Sequence, residues 1–298
     1  MKHGLAIGVL FLSSIGWGLT WFPIKLMNQM GLDGIHLILI AFASAGLLLS
    51  PFLYTQRHAW KGNLKYLLLI ALFGGIANLL FQTALYHGDV VRVMILFYLL
   101  PAWSVLGGWY LLKEKPDRVR IVAVIMSLVG AILILGVDSN TFQGLGWIDL
   151  TAIGSGMAFA FNNILFRKTA SQPIASKVSA MFISCAVMMG IFLLFNSAAV
   201  DLPRNNSPLY AVLYGVVMLS LITFGTQWGV TQLEAARGAL IIVMELVVAV
   251  TSVALLTDMS LSMSECFGGL LVLIAAIVEG WREPTVAAEP ALKMTGES

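Results

Sequence analysis

Ten stretches of the chain read as apolar runs of about twenty residues, the length a helix needs to cross a hydrocarbon core of about 30 Å. They fall at roughly Gly4–Lys25, Ile35–Tyr54, Leu64–Tyr86, Val91–Leu112 and Val119–Val137, then at Gly146–Phe166, Val178–Phe195, Leu209–Gln232, Gly238–Thr257 and Glu265–Glu279. The last is short, but Gly268-Gly269 near its start and Trp281 at its end suit a membrane helix with an interfacial anchor. Loops are short, the longest being Asn196–Pro208, so no soluble domain is expected. The polar segment 282–298 reads as a disordered tail.

Within these runs the polar positions are periodic. Asn78, Gln82 and Tyr86 recur every four residues, followed by Asp89 and Arg92; Thr223, Gln227 and Thr231 recur in the same way, followed by Glu234 and Arg237. Gln82 and Gln227, Asp89 and Glu234, and Arg92 and Arg237 are each 145 residues apart. Residues four apart share a helix face, and in hydrocarbon such a face has to look at protein or water. An offset of 142 pairs Ser13 with Ser155, Trp17 with Phe159, Thr20 with Asn162 and Lys25 with Arg167. Because five helices carry the first half, the sixth starts on the opposite side from the first. The pattern therefore predicts an all-α membrane fold of ten transmembrane helices in two inverted five-helix repeats. The repeats occupy residues 1–137 and 146–281, and 282–298 is a cytoplasmic tail. Inverted repeats place a binding site near the midplane of secondary transporters.

Composition agrees. Of 298 residues, 59% are hydrophobic and 11% charged, whereas a soluble domain carries about 25% charged residues. A net charge of +2 is too mild to point to nucleic acid. Of 17 Lys and Arg residues, only Lys25, Arg92 and Arg204 fall on the predicted outer side, leaving fourteen inside. That bias places both termini in the cytoplasm. Cys185 and Cys266 sit in apolar runs as packing residues, and the four histidines form no ligand cluster. Met1-Lys2-His3 and the following run resemble a signal peptide, but the run continues to about Leu26 without a small-residue cleavage site. A retained first helix is expected.

Several positions are candidates for chemistry. Pro23 bends the first helix, and Trp17 and Trp21 share one of its faces. Trp21 suits either an interfacial belt or the seam, and the deeper Trp17 suits the seam. Pro101, beside Tyr98, Trp103 and Ser104, either fixes a kink or frees a carbonyl for substrate, and the glycines Gly107-Gly108 follow. Gln82 and Gln227 act as interhelical glue or line a cavity, and of Asn162 and Asn163 one faces the seam and the other packs. Glu245 is the one carboxylate placed well inside the membrane, hence a substrate or proton site or a structural hydrogen bond. Arg92 and Arg237 are expected to pair locally with Asp89 and Glu234.

These features resemble a known family. Trp17-Gly18 near Lys25, Ala84-Leu85-Tyr86, and Leu99-Leu100-Pro101-Ala102 leading to Leu111-Leu112-Lys113-Glu114 are similar to the EamA-like branch of the drug/metabolite transporter superfamily. So is Met244-Glu245-Leu246-Val247 leading to Leu255-Leu256-Thr257-Asp258. The resemblance implies an inverted bundle in which helices one, three, four, six, eight and nine line a central cavity, with helices five and ten peripheral. It implies export or exchange of amino acids and similar small metabolites across the bacterial inner membrane. Two departures stand out: Leu246 replaces a proline that often follows the glutamate, and Thr257-Asp258 replaces a Gly-Glu pair. Helix four is therefore expected to bend more than helix nine.

The expected function is a secondary transporter working by alternating access on a small polar or amphipathic metabolite, without a cofactor or metal. The expected substrate-binding residues are Trp17, Thr20, Asn78, Gln82, Tyr86, Tyr98, Asn162, Thr223, Gln227 and Glu245, with Pro23 and Pro101 as hinges. Protons are a possible coupling ion. A channel-like facilitator is the alternative; a membrane enzyme is disfavoured because no acid–base pair, nucleophile–His arrangement or metal cluster is visible. No nucleotide-binding Gly-x-x-x-x-Gly-Lys loop occurs, so direct use of ATP is not expected.

Overall fold

A computed structural model describes residues 2–88, 90–136, 146–195, 203–256 and 261–282, without the side chains of Lys2, Tyr86 and Val91. The expected tail, apart from Arg282, lies outside the described residues. The described chain is all helical. In order it comprises α1 (Lys2–Gly18), α2 (Trp21–Gln29), α3 (Gly34–Thr55), α4 (Arg57–Trp60), α5 (Leu64–His87), α6 (Val90–Phe97), α7 (Leu100–Gly107) and α8 (Arg118–Leu135). Next come α9 (Trp147–Lys168), α10 (Ile174–Phe195), α11 (Ser207–Leu213), α12 (Ser220–Gln232), α13 (Ala235–Ile242), α14 (Met244–Leu256) and α15 (Met263–Trp281). Single π-helical segments, Gly108–Leu112 and Tyr214–Leu219, extend α7 and join α11 to α12.

Among the described residues, nine helical spans are long and apolar enough to cross a membrane. The chain is a multi-pass membrane protein. The span expected at Gly146–Phe166 is a continuous 22-residue helix, α9, but it is not among the nine. Asp149, Thr151, Ser155, Asn162 and Asn163 make it the more polar helix, and its residues Ala152, Ser155, Ala158, Asn162 and Ile164 are buried in the bundle rather than turned to lipid.

Local chemistry fixes the ends. Asp33 accepts from the Ile35 N–H at 3.2 Å to cap α3, and Asp117 accepts from the Arg120 N–H at 2.9 Å to cap α8. Ser262 and Glu265 form a reciprocal box at the start of α15. Lys113, at φ 62°, ends the π-helical turn in the left-handed region.

Three membrane-crossing stretches are interrupted where the sequence dictates, or where it does not. α1 gives way to α2 at Leu19–Thr20, because Pro23 has no N–H to return to the Leu19 carbonyl. α6 gives way to α7 at Tyr98–Leu99, since Pro101 leaves the Phe97 carbonyl without its helical donor. α13 gives way to α14 at Val243 although no proline follows Glu245. Helix four was expected to bend more than helix nine; both are interrupted, at Tyr98–Leu99 and at Val243.

Packing pairs α1 with α12, α5 with α9, α3 with α10, and α8 with α15. The last pair touches backbone to backbone. A Cβ on Gly130 would lie 2.7 Å from the Gly268 carbonyl oxygen, and one on Gly268 would lie 2.6 Å from that of Gly130. Small residues let membrane helices approach this closely. The main apolar core joins Leu10, Phe42, Ile70, Leu100, Phe166, Phe182, Leu233 and Ile242, drawn from most of the spans.

Candidate functional site

The broken helices meet at their breaks. Tyr98, in the gap between α6 and α7, donates its hydroxyl to Glu245 Oε1 at 2.9 Å, in the first turn of α14. A helix N-terminus favours a carboxylate, so the break at Val243 holds Glu245 where a charge is best tolerated. α1 crosses close by: a Cβ on Gly18 would lie 2.6 Å from the Glu245 carbonyl oxygen. Aromatic rings continue from this point, with Phe97 stacked edge-on to Tyr98 at 5.4 Å, 4.7 Å from Phe81 and 5.9 Å from Phe159. Tyr98 is buried, whereas Glu245, Phe97 and Phe159 are half-buried.

A second polar group lies between α9 and α12. Gln227 Nε2 donates to Asn163 Oδ1 at 3.3 Å, and Asn162 Nδ2 is 3.5 Å from the same oxygen. Asn162 is 0% exposed and Gln227 1%. Asn162 Oδ1, Asn163 Nδ2, Gln227 Oε1 and Thr223 Oγ1 are buried with no protein partner within hydrogen-bond reach, an arrangement that is costly in an apolar interior. The α5 backbone borders the group, since a Cβ on Gly74 would stand 3.2 Å from Asn162 Oδ1.

The sequence-expected residues thus divide. Glu245 and Tyr98 come together, as do Asn162 and Gln227, with Thr223 one turn before Gln227 on the same helix. Trp17 is half-buried and donates from Nε1 to Thr226 Oγ1 at 3.0 Å; Thr20 bonds the Trp17 carbonyl within its own helix at 2.7 Å. Trp21 donates to Ser252 Oγ at 2.8 Å, joining α2 to α14 rather than standing free in an aromatic belt. Asn78 is half-buried and donates to the Gly74 carbonyl at 3.0 Å, and Gln82 is half-buried one turn later. The Tyr86 side chain lies outside the described residues. Both asparagines are buried. Pro23 and Pro101 sit at helix breaks. Cys266 is exposed on the bundle surface; Cys185 is buried as expected.

Charged residues seal the ends of the bundle. At the end where α1 begins, Arg120 donates from Nε to Glu279 Oε1 at 2.8 Å and from Nη2 to Glu234. Arg237 lies 3.6 Å from Glu234 and 3.8 Å from Glu279, and donates to His3 Nε2. Arg282 ties Glu279, at 3.1 Å, to Asp117. Nearby, Arg167 donates to Glu114 at 2.5 Å while the other Glu114 oxygen accepts from the Ala235 N–H at 2.9 Å. At the opposite end Arg92 pairs with Asp149 at 2.5 and 2.6 Å. The expected Arg237–Glu234 pair is present. The expected Arg92 partner Asp89 lies outside the described residues, and Asp149 is the partner that sequence distance concealed. The fully buried Lys177 donates to the Phe166 and Thr169 carbonyls, both at 3.0 Å, and so caps α9.

An apolar groove of about 700 Å³ between α1 and α12, lined by Leu5, Val9, Phe224 and Trp228, opens on the outer surface away from these polar groups. Among the described residues no cluster of His, Cys, Asp and Glu could hold a metal ion.

With this geometry established, the chain can be compared with known proteins. Residues 4–136 match the EamA-like transporter family. The EamA-like match covers α1 to α8, and with them Trp17, Gln82, Tyr98 and Pro101. A curated relative, the "Uncharacterized transporter YojE" of Bacillus subtilis (strain 168), is 28% identical over 203 residues, covering 63% of this chain. The chain spans 64% of that relative's length. A solved crystal structure described simply as that of a protein superposes with a TM-score of 0.74 over 92% of this chain and 95% of its own, at 17% identity. That likeness concerns the fold alone.

Proposed function

We propose that the chain is a secondary transporter that moves a small metabolite bearing an amino group, amino acids among them, by alternating access between two inverted five-helix halves. The observation that carries this reading is the meeting of two interrupted helices inside the bundle, with Tyr98 on Glu245 at the junction. Interrupted helices at mid-membrane supply the binding elements of many carriers. The EamA-like match and the transporter relative support it. The packing pattern also fits inverted halves: exchanging helix one with six and three with eight turns the α1–α12 pair into the α9–α5 pair. In this reading residues 1–137 and 146–281 are the halves, both termini are cytoplasmic in a bacterial inner membrane, and the ion network around Arg120 is the closed inner gate. Export is the direction proposed, with Glu245 able to couple a proton.

The neutral amides of Asn162, Asn163 and Gln227, together with Trp17, Thr20, Asn78 and Gln82, are the proposed lining of the route. The unpartnered Asn162 Oδ1, Asn163 Nδ2 and Gln227 Oε1 suit a polar solute that brings its own hydrogen-bonding groups. Counterflow in proteoliposomes tests the transport reading. Saturable exchange of labelled for unlabelled solute supports a carrier, and non-saturating flux without exchange would replace it with a facilitator. Reporters test the inversion: after Ser298 and within Arg57–Asn63 they should read cytoplasmic, and within Asn196–Pro208 external. An external C-terminus would remove the inverted repeat.

A further inference from the structure

Two of the arginines that close the ends of the bundle occupy corresponding places. Arg92 is the third residue of α6 and Arg237 the third residue of α13, and each of these helices runs into one of the breaks. Each guanidinium reaches across to the first turn of another span. Arg92 meets Asp149 in α9, at 2.5 and 2.6 Å, and Arg237 meets His3 in α1. Exchanging helix one with six and four with nine, as the transport reading does, turns one contact into the other. The acceptors differ in kind: one is a carboxylate and the other an imidazole. As side chains in water, carboxylates titrate near about pH 4 and imidazole near about pH 6.5.

A guanidinium has only donors, so the His3 Nε2 facing Arg237 Nη1 is the acceptor, and His3 is neutral with its proton on Nδ1. A second proton would occupy that acceptor and set a cation against Arg237, which is 0% exposed. Arg237, Arg167 and the amino terminus of its own helix face His3 as positive charges, and Glu234 as a negative one. Glu234 and Glu279 already accept from Arg120. α12, packed along α1, carries no titratable side chain, and the Glu245 of α14 is bonded to Tyr98. Neutral His3 ties the beginning of α1 to α13. A second link between these helices, Ser14 Oγ on the Ile241 carbonyl at 3.2 Å, lies three turns deeper.

We propose that His3 is a proton-binding site at the inner end of the bundle: neutral, it latches α1 to Arg237 and holds that end closed, and protonated, it lets α1 go. This rests on the transport reading for which end is the inner one. It adds control by pH at that end alone, since the corresponding latch at the other end is built on a carboxylate.

The test reads the inner end directly, in the full chain embedded in lipid nanodiscs. Spin labels on Leu5→Cys in α1 and Lys115→Cys before α8, both exposed positions, report the separation by double electron–electron resonance. Cys266→Ser removes the exposed native thiol. Between about pH 8 and about pH 5, where imidazole changes charge, the short-distance population should fall by half or more while His3 is present. His3→Gln keeps an acceptor but cannot take up the proton, and should hold the short distance throughout. His3→Lys carries a fixed charge and should show the long distance even near the alkaline limit. A distance that ignores pH with His3 present, or an equal response in His3→Gln, would overturn the proposal. A second measurement needs no labels: the imidazole resonance that His3→Gln removes from the spectrum of histidine-labelled protein should titrate across the same range, and a flat one would equally overturn it. Because distances are read without solute, a His3-dependent opening in a protein that fails counterflow would sink the transport reading and leave the latch standing. Counterflow without any pH response at the inner end would sink the latch alone.

Discussion

Tyr98 and Glu245 are 147 positions apart in sequence, and a 2.9 Å hydrogen bond joins them where two helices are simultaneously interrupted. The bond ties the α6–α7 break to the α13–α14 break. Tyr98→Phe keeps the ring and its contact with Phe97 but removes the donor. A hydrogen bond contributes about 0.5–1.5 kcal/mol net, so the variant should melt a few degrees lower yet still insert. Transport should show a changed maximal rate more than a changed half-saturating concentration. An unaltered melting temperature and rate would mean that the bond is not formed in the working protein.

Gln82 and Gln227 occupy matching positions in the sequence but differ in their surroundings. Gln82 is half-buried, whereas Gln227 is buried and donates to Asn163. Gln82→Leu should reduce transport with little change in stability. Gln227→Leu removes a donor from Asn163 Oδ1 and should lower stability by about 1 kcal/mol as well, the usual net worth of one hydrogen bond. Thermal melting and flux measured on the same preparations separate the two effects.

Arg120 is 2% exposed and serves two glutamates. Arg120→Met would leave Glu234 and Glu279 short of a cation, and breaking a buried pair from one side costs about 3–5 kcal/mol. The yield of folded protein by size-exclusion chromatography should collapse. Combining it with Glu279→Gln should recover part of that loss, and an undiminished single variant would show that the network is not closed as described.

Outside the membrane-spanning segments, hydrogen bonds from Arg282 hold the Asp117 carboxyl below its ordinary value of 3.8, aided by the Arg120 N–H. A depressed carboxyl contributes stability above its unfolded value, and that contribution disappears as pH falls through the folded value. Asp117→Asn retains a capping side chain but not the charge. Melting temperatures of variant and wild type should differ near neutral pH and converge below about pH 3 to 4. A constant difference across that window would assign the effect to capping instead.

Long apolar runs made the helices legible, because span length and hydrophobicity are local properties. Pro101 and Pro23 likewise announced their breaks, since a missing N–H acts on the preceding turn. The break at Val243 left no such mark; it arises beside Glu245, which finds Tyr98 only in the folded bundle. Asp149 carried no signal either, because its partner is 57 residues away, although an acidic residue at the mouth of a membrane run is itself a hint. Lys177 was counted as a loop-side charge, yet it is fully buried: a cation can be satisfied by the end of a neighbouring helix, which composition does not register. The polar stripe identified Gln227 and Thr223, whereas Thr226, the partner of Trp17, lies off the four-residue period.

The ion pairs at the bundle ends have one further consequence, for the order in which the chain is made. Arg92, Glu114, Asp117 and Arg120 all precede residue 137, and the partners described for them, Asp149, Arg167, Arg282, Glu234 and Glu279, all follow residue 145. A nascent chain that has emerged only as far as α8 therefore holds its charges without their counterparts. Arg120 does not meet both of its glutamates until α15, the last described helix, has been synthesised. Burying a charge without its partner is costly, so the ion-paired end of the described bundle can close only after α15 has been made.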